Sequence, residues 1–404
     1  MFLQLESHNF REVQGDMKAS EYNFFTRADD GDRLAFNFMT NSLLKMNSDD
    51  YRTFREASSA GIAEKSGDPA GMEMIAGLKE GGFLIDDDIE EKSLIKYRQE
   101  SGRYGGSKSY ALTIGVTTGC NFRCEYCYEK VDKHGTLSRE VEDKIIDYIG
   151  KLPSKSSLSI NWYGGEPLLT IDTIYRLSDA IMKITREKEI NYVAGMITNG
   201  YLYSRKIALE LKKRNCISLQ ISLDGDEKTH DERRPLKAGG GTFRQIMENI
   251  RDTCDLIPIN LRINIDKSNI RAFEKLLDEL EKYGVLNKLS SITPSPVQAS
   301  ENSPEAIKEK VFSSEEYAPF YFQEIEMILD RGLNTSFYTS SPSHIYCGAL
   351  HPNSLVIDPY GNLYKCWDVY GVESEKVGTL DTGIRLNNIS LKWMLFDNLG
   401  QEEC

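Results

Sequence analysis

Cys120, Cys124 and Cys127 lie in one short stretch, Thr118-Gly119-Cys120-Asn121-Phe122-Arg123-Cys124-Glu125-Tyr126-Cys127-Tyr128. Thiolates this closely spaced read as ligands for a soft metal. A structural zinc is normally closed by four protein ligands, and this stretch offers three. Three thiolates on a cubane of four irons leave one iron without a protein ligand. That iron is open to a small molecule, to which it can pass an electron. A zinc knuckle or buried thiols are the plainer readings of the same residues.

Further groups able to recognise a ligand follow in order. In Gly164-Gly165-Glu166-Pro167 the paired glycines let backbone approach closely, and the carboxylate suits an ammonium. Thr198-Asn199-Gly200 reads as a turn. Ser222-Leu223-Asp224-Gly225 places Ser222 and Asp224 on one polar face, as a ribose site would need. His230-Asp231-Glu232-Arg233-Arg234-Pro235 offers an arginine fork for a carboxylate. Asn264 falls mid-strand on a polar face. Each of these also has an ordinary structural reading.

The elements that must position them alternate between period two and helical stretches. Leu112, Ile114 and Val116 alternate with polar neighbours, as do Leu158, Ile160 and Trp162, then Ile217 to Leu223, and Leu261 to Ile265. Val193–Thr198 fits less cleanly, and Ser290–Gln298 is interrupted by prolines. Helical stretches separate them at Arg139–Gly150, Ile171–Glu187, Ser204–Arg214, Phe243–Leu256 and Ile270–Tyr283. This order implies parallel strands. Parallel strands are usually apolar on both faces, yet four of these are polar on one. A partial barrel explains this, with apolar residues packed outward on helices and polar ones lining a lumen. The cysteine stretch and the glycine, Thr-Asn-Gly and Ser-Leu-Asp-Gly groups then sit at the C-terminal ends of strands, where such barrels keep their chemistry.

The first hundred residues read differently. Tyr22–Arg27 and Arg33–Phe38 flank Asp29-Asp30-Gly31-Asp32 as a hairpin. Ser48 is read as the cap of a first helix, and Asp68-Pro69 opens a second that Gly81-Gly82 closes. Phe83-Leu84-Ile85 returns as a strand, before an acidic run, Asp86-Asp87-Asp88, that reads as a solvated linker.

The chain has 404 residues, room for two or three domains, with 49 basic against 62 acidic side chains and a net charge of −13. That balance argues against a nucleic-acid partner. No apolar run suits a membrane span and the start is no signal peptide, so a cytoplasmic protein is expected. Eight cysteines in such a chain read as metal ligands before disulfides.

Cys-x3-Cys-x2-Cys, with an aromatic before its last cysteine, resembles the radical S-adenosylmethionine (radical SAM) signature. The later groups, ending in His-Asp-x-x-Arg, follow in the order seen in radical SAM enzymes with a SPASM extension. The resemblance implies an α/β fold: a partial (β/α)6 TIM-like barrel, an N-terminal winged-helix-like domain and a C-terminal SPASM-like extension. It implies a 4Fe–4S cluster on Cys120, Cys124 and Cys127, and SAM held by Tyr126, Gly165, Glu166, Asn199, Ser222, Arg234 and Asn264. Tyr126 would lie beside the adenine, Gly165 and Glu166 at the methionine ammonium, Ser222 at the ribose, and Arg234 at the methionine carboxylate. Cys347 and Cys366, bracketing Pro359–Tyr364, resemble the opening of a SPASM motif, and Cys404 stands where its dense cysteine group would start. An auxiliary 4Fe–4S cluster on these three is expected, in an extension read as truncated.

The expected domains are 1–100 for leader-peptide recognition, 105–300 for the barrel, 301–340 as a helical linker and 341–404 as the start of SPASM. The N-terminal region resembles the element that takes a leader peptide as an added strand before peptide maturases. The function expected is SAM cleavage to a 5′-deoxyadenosyl radical and modification of a ribosomally made precursor peptide, with a cysteine thioether crosslink favoured. Flavodoxin or ferredoxin is the kind of electron donor implied. An anaerobic sulfatase-maturing (formylglycine-forming) enzyme, a carbon–carbon crosslinking or epimerising maturase, and a zinc-stabilised peptide-binding module are the alternatives. No residue is assigned as catalytic acid or base.

Overall fold

The structure is a computed structural model that describes residues 17–59, 69–106, 108–127, 135–299, 305–333 and 347–397. One compact unit contains the described residues up to Gly105, and a second contains those from Gly106 on.

The first unit runs β1 (Met17–Ala19), β2 (Asn23–Arg27), β3 (Arg33–Asn37), β4 (Ser42–Met46), α1 (Ser48–Ser59), α2 (Pro69–Glu80), β5 (Leu84–Asp86) and α3 (Glu91–Tyr104). Strands β2, β3 and β4 form an antiparallel sheet, and β1 pairs antiparallel with β5. The β2–β3 turn uses Gly31 at φ +90°, which costs glycine least. The cap of α1 falls one residue before the expected Ser48. Asn47 Oδ1 accepts from the amides of Asp49 and Asp50 at 2.8 and 2.9 Å, because an amide oxygen caps as well as a hydroxyl. The acidic stretch after β5 leads into α3, which the sequence reading leaves out. Asp68 lies outside the described residues.

The second unit begins with β6 (Ser109–Thr117), α4 (Arg139–Gly150), β7 (Ser157–Gly164), α5 (Ile171–Glu187), β8 (Asn191–Thr198) and α6 (Arg205–Lys213). It continues with β9 (Cys216–Ser222), α7 (Glu227–Arg233), α8 (Phe243–Thr253), β10 (Ile259–Ile265), α9 (Phe273–Lys282) and β11 (Ser291–Pro296). After α10 (Glu305–Lys308) and α11 (Ser314–Asp330) come β12 (Ser354–Ile357), β13 (Asn362–Tyr364), β14 (Gly378–Thr379), β15 (Gly383–Ile384) and α12 (Asn388–Met394).

Strands β6 to β11 lie side by side in sequence order and all pair parallel. Their register makes the polar and apolar faces continuous. Ile114, Trp162, Met196, Leu219 and Ile259 form one row, and Thr113, Asn161, Gly195 and Ser218 form the next on the opposite face. The apolar row shares one buried core with Ile145, Leu177, Ile246 and Leu276 of the flanking helices. β8, read as irregular, keeps strict alternation, with Tyr192, Ala194, Met196 and Thr198 buried. β11 forms despite Pro294 and Pro296 because it pairs with β10 alone, and an edge tolerates missing amide donors.

The sheet is larger than the six strands expected. β12 adds in parallel to the far side of β6, and β13, β14 and β15 extend it antiparallel, giving ten strands. No helix among the described residues is long and apolar enough to cross a membrane.

In the first unit one buried amide ties the loops together. Asn37 Nδ2 donates to Asn23 Oδ1 and the Gly82 carbonyl, both at 2.8 Å, while its Oδ1 accepts from the amides of Met39 and Thr40. Asn37→Ala is expected to cost about 2–4 kcal/mol, since buried groups on two segments lose their partners. Amide hydrogen exchange should accelerate in β1, β3 and β5; unchanged protection there would refute this role.

Candidate active site

The cysteine stretch begins where β6 ends and is held by backbone on two sides. The amide of Gly165 donates to Thr117 O, and that of Glu166 to Gly119 O, each at 2.9 Å. These chains pass too closely for side chains. A Cβ on Gly164, which sits at φ +131°, would lie 2.2 Å from Thr117 O, and one on Gly165 2.4 Å from Gly119 O. The glycine pair therefore makes its close approach to the cysteine stretch. On the other side the Arg123 amide donates to Pro235 O and the Lys237 amide to Asn121 O, at 2.9 and 2.8 Å. The connection carrying Arg233 and Arg234 is thereby fixed beside the thiols.

Three side chains converge on the phenol of Tyr126. It donates to Asp224 Oδ2 at 2.5 Å and accepts from Arg234 Nη1 at 2.5 Å and Asn264 Nδ2 at 3.1 Å. Asn264 also donates to Asp224 Oδ1 at 3.3 Å. Arg233 reaches Asp266 at 2.8 Å and Asp224 at 3.4 Å, and its guanidinium lies 5.0 Å from the Tyr126 ring centre. Burial first, then Asp224, drives the Tyr126 phenol well above its ordinary pKa, against the pull of Arg234. The phenol is thus neutral and free to donate.

The structure brings together Tyr126, Asp224, Arg234 and Asn264, with Arg233 and Asp266 beside them. Asp266 follows Asn264 at the same strand period, so alternation on β10 was a usable signal for it. Arg233 had none, because its neighbour filled the motif.

Glu166 is fully buried and already engaged. It accepts from Thr198 Oγ1 at 2.7 Å, from the Asn199 amide at 2.7 Å and from the Leu168 amide at 3.0 Å. It braces the ends of β7 and β8, and burial raises its carboxyl pKa. Asn199 donates to Asn121 Oδ1 at 2.8 Å, with Cys120 Sγ 3.9 Å away. Ser222 is buried at the end of β9, opposite Arg262 in register.

His230 and Asp231 serve the turn. His230 Nδ1 accepts from the Asp224 amide at 3.2 Å, which assigns the ring proton to Nε2, 3.0 Å from Thr242 Oγ1. That hydroxyl donates to Arg234 O at 2.9 Å. Asp231 Oδ1 caps α8, accepting from the amides of Thr242 and Phe243. Burial, with Arg234 and Arg233 nearby, pushes His230 well below its ordinary pKa.

The site fits an anionic ligand beside a thiolate-bound metal. Arg234 is buried, and among the described residues its Nε has no acceptor. A buried donor left unpaired is costly, so a ligand oxygen there would stabilise it. Burial pushes the Cys120 thiol up to about 11 and raises that of Cys124, with Arg234 acting oppositely on both. Metal loading must therefore displace protons. Among the described residues no three Cys, His, Asp or Glu side chains converge as ligands of a single ion would. Thiolates of a cubane each bind a different iron and need not converge. Cys347 is exposed and Cys366 half-buried, its thiol pushed up to about 11 by burial, and Cys404 lies outside the described residues.

Residues 114–280 match the Radical SAM superfamily. The matched stretch is α/β in fold and is similar to a superfamily of iron–sulfur enzymes that use a 4Fe–4S cluster and SAM. The chain is 27% identical over 204 residues to "Fe-coproporphyrin III synthase" of Methanosarcina barkeri, covering 48% of each protein. It is 22% identical over 294 residues to "Cysteine-type anaerobic sulfatase-maturating enzyme" of Clostridium novyi, covering 68% of this chain and 77% of that one. It spans half or less of the length of the first curated relatives it matches. Two solved structures share the fold. One is anSMEcpe with bound AdoMet and Kp18Cys peptide (TM-score 0.57, 17% identity, 70% of this chain and 82% of that one). The other is Streptococcus suis SuiB bound to precursor peptide SuiA (TM-score 0.51, 15% identity, 93% and 89%).

Two outcomes follow from the geometry. Gly164→Ala should displace the cysteine stretch, and iron and sulfide bound after anaerobic reconstitution should fall at least several-fold; full loading would contradict the close-approach argument. His230 is held neutral, so the stability it contributes is present above its ordinary pKa of about 6.5 and is lost as pH falls below it. In His230→Asn the gap in urea midpoint from wild type should narrow between pH 7.5 and pH 5.5. A constant gap would show that His230 titrates normally.

Proposed function

We propose that this chain is a radical SAM enzyme that modifies a ribosomally made precursor peptide. The observation that carries the reading is Arg234, a buried cation with one donor unpaired, fixed by backbone beside a stretch of three thiols. Cys120, Cys124 and Cys127 are its cluster ligands. Arg234 takes the SAM carboxylate, Tyr126 borders the adenine, Ser222 holds the ribose, and Asn199 and Asn264 are neighbours. Because the Glu166 carboxylate is occupied by protein donors, the ammonium is met by backbone around Gly165. When bound, the cluster and SAM supply a 5′-deoxyadenosyl radical able to take hydrogen from an unactivated carbon. The residues of this chain orient that chemistry and keep water from it.

A peptide substrate is supported by the two fold neighbours, which were solved with peptides. The N-terminal unit supplies short sheet edges of the kind that accept an added strand, and it is read as the leader-binding domain. A thioether crosslink from cysteine is the favoured product. Cys347 and Cys366, with Cys404, are read as sites for an auxiliary cluster. A flavodoxin or ferredoxin is the proposed electron donor and the cytoplasm the proposed location. The similarity to sulfatase-maturating enzymes keeps formylglycine formation as a second reading.

Anaerobically reconstituted protein with SAM and dithionite should release 5′-deoxyadenosine, and Cys124→Ala should reduce this to background. Arg234→Met should weaken SAM binding about tenfold or more, the worth of a buried charged hydrogen bond, with iron content kept. No release from fully loaded protein would sink the enzyme reading. A cysteine-containing precursor that keeps its mass while SAM is consumed would sink the thioether assignment, and conversion of a sulfatase-motif peptide would replace it.

A further inference from the structure

Outside the site described, α11 and the segment following β10 line a half-open cavity of about 620 Å³. Ile270, Phe273, Phe312, Phe320 and Met327 give it an apolar and aromatic side, and polar residues complete the lining. Phe312 and Phe320 have ring centres 5.6 Å apart. Two acids line the cavity, Glu274, which is exposed, and Glu324, which is only 3% exposed. Tyr317 donates to its Oε2 at 2.7 Å, and among the described residues its buried Oε1 has no hydrogen-bond partner.

A carboxyl used only for packing would have both oxygens satisfied, because an unpaired buried oxygen costs about 1–3 kcal/mol. Ionised, it lacks a donor; protonated, it lacks an acceptor. Burial raises its pKa to about 7. Of the two cations on the cavity walls, Arg271 is exposed and Lys267 is diverted. Lys267 pairs with Glu316 at 2.9 Å and lies 5.7 Å from the Phe312 ring centre.

We propose that this cavity is a binding site for an alkylammonium group, as borne by a lysine side chain. The ammonium would donate to Glu324 Oε1, and ring faces of Phe312 and Phe320 favour a cation. The aliphatic stem would lie along Met327 and Ile270. An anionic ligand would be repelled by Glu324, and a neutral apolar one would leave Oε1 unpaired. The cavity adjoins the site already described, since Ser268 on its wall accepts from Arg233 Nη1 at 2.8 Å. That the lysine belongs to the modified peptide rests on the proposed function; ammonium binding does not.

The test uses the full chain and two probes, N-acetyl-lysine methylamide and its norleucine counterpart, with binding followed by saturation-transfer NMR and titration. The lysine probe should bind in preference to norleucine, and Glu324→Gln should weaken it about tenfold, the worth of a hydrogen bond to a charged group. Phe320→Ala, at a partly exposed ring, should weaken the lysine probe several-fold and decides the matter if Glu324→Gln fails to fold. Equal binding of both probes, no binding of the lysine probe, or affinity unchanged in the variants would overturn the proposal. None of these readings needs SAM turnover, so each is distinct from failure of the radical chemistry.

Discussion

Two adjacent guanidinium groups, Arg233 and Arg234, are buried at the C-terminal end of the sheet. Burying a charge is tolerable only where fixed partners replace water. Arg233 has them in Asp224, Asp266, Ser268 and the Tyr126 ring. Those partners come from the connections after β9 and β10 and from the cysteine stretch, so satisfying one side chain fixes all of them. Arg234 is served less fully. The remaining donor is what gives the site a demand for an anion.

The same economy explains the glycines and the turn after β9. Thr117 and Gly119 accept backbone hydrogen bonds from Gly165 and Glu166, which a side chain at Gly164 or Gly165 would prevent. His230 and Asp231 spend their polar atoms on the Asp224 amide, Thr242 and the start of α8. In a His-Asp-x-x-Arg motif, then, the first two residues build the turn and the last is turned toward the thiols. Burial of a neutral histidine beside two arginines avoids placing a third positive charge there.

The unpaired oxygen of Glu324 and the unpaired nitrogen of Arg234 are defects of opposite sign on neighbouring parts of one unit. Each is buried without a hydrogen-bond partner among the described residues, and each therefore marks a place where a ligand would complete the fold. Their separation, linked through Ser268 and Arg233, gives one end of the barrel two distinct chemistries.

The sequence by itself determined the cysteine stretch, the order of strands and helices, and the face on which Ser222, Asp224 and Asn264 lie, because spacing and period two are local properties of the chain. It also located α4 and α5 to the residue, since the Ser138 cap of α4 and the apolar spacing of both are local. What lay beyond it depends on contacts between distant segments. Glu166 reads as a free carboxylate until β8 supplies its donors. Prolines argue against β11 until it is known to be an edge. Asn47 displaces Ser48 as cap because backbone geometry selects between two competent side chains. The addition of β12 to β6, and the partners of Arg233, could be decided only by the tertiary structure, which alone brings together groups far apart in sequence.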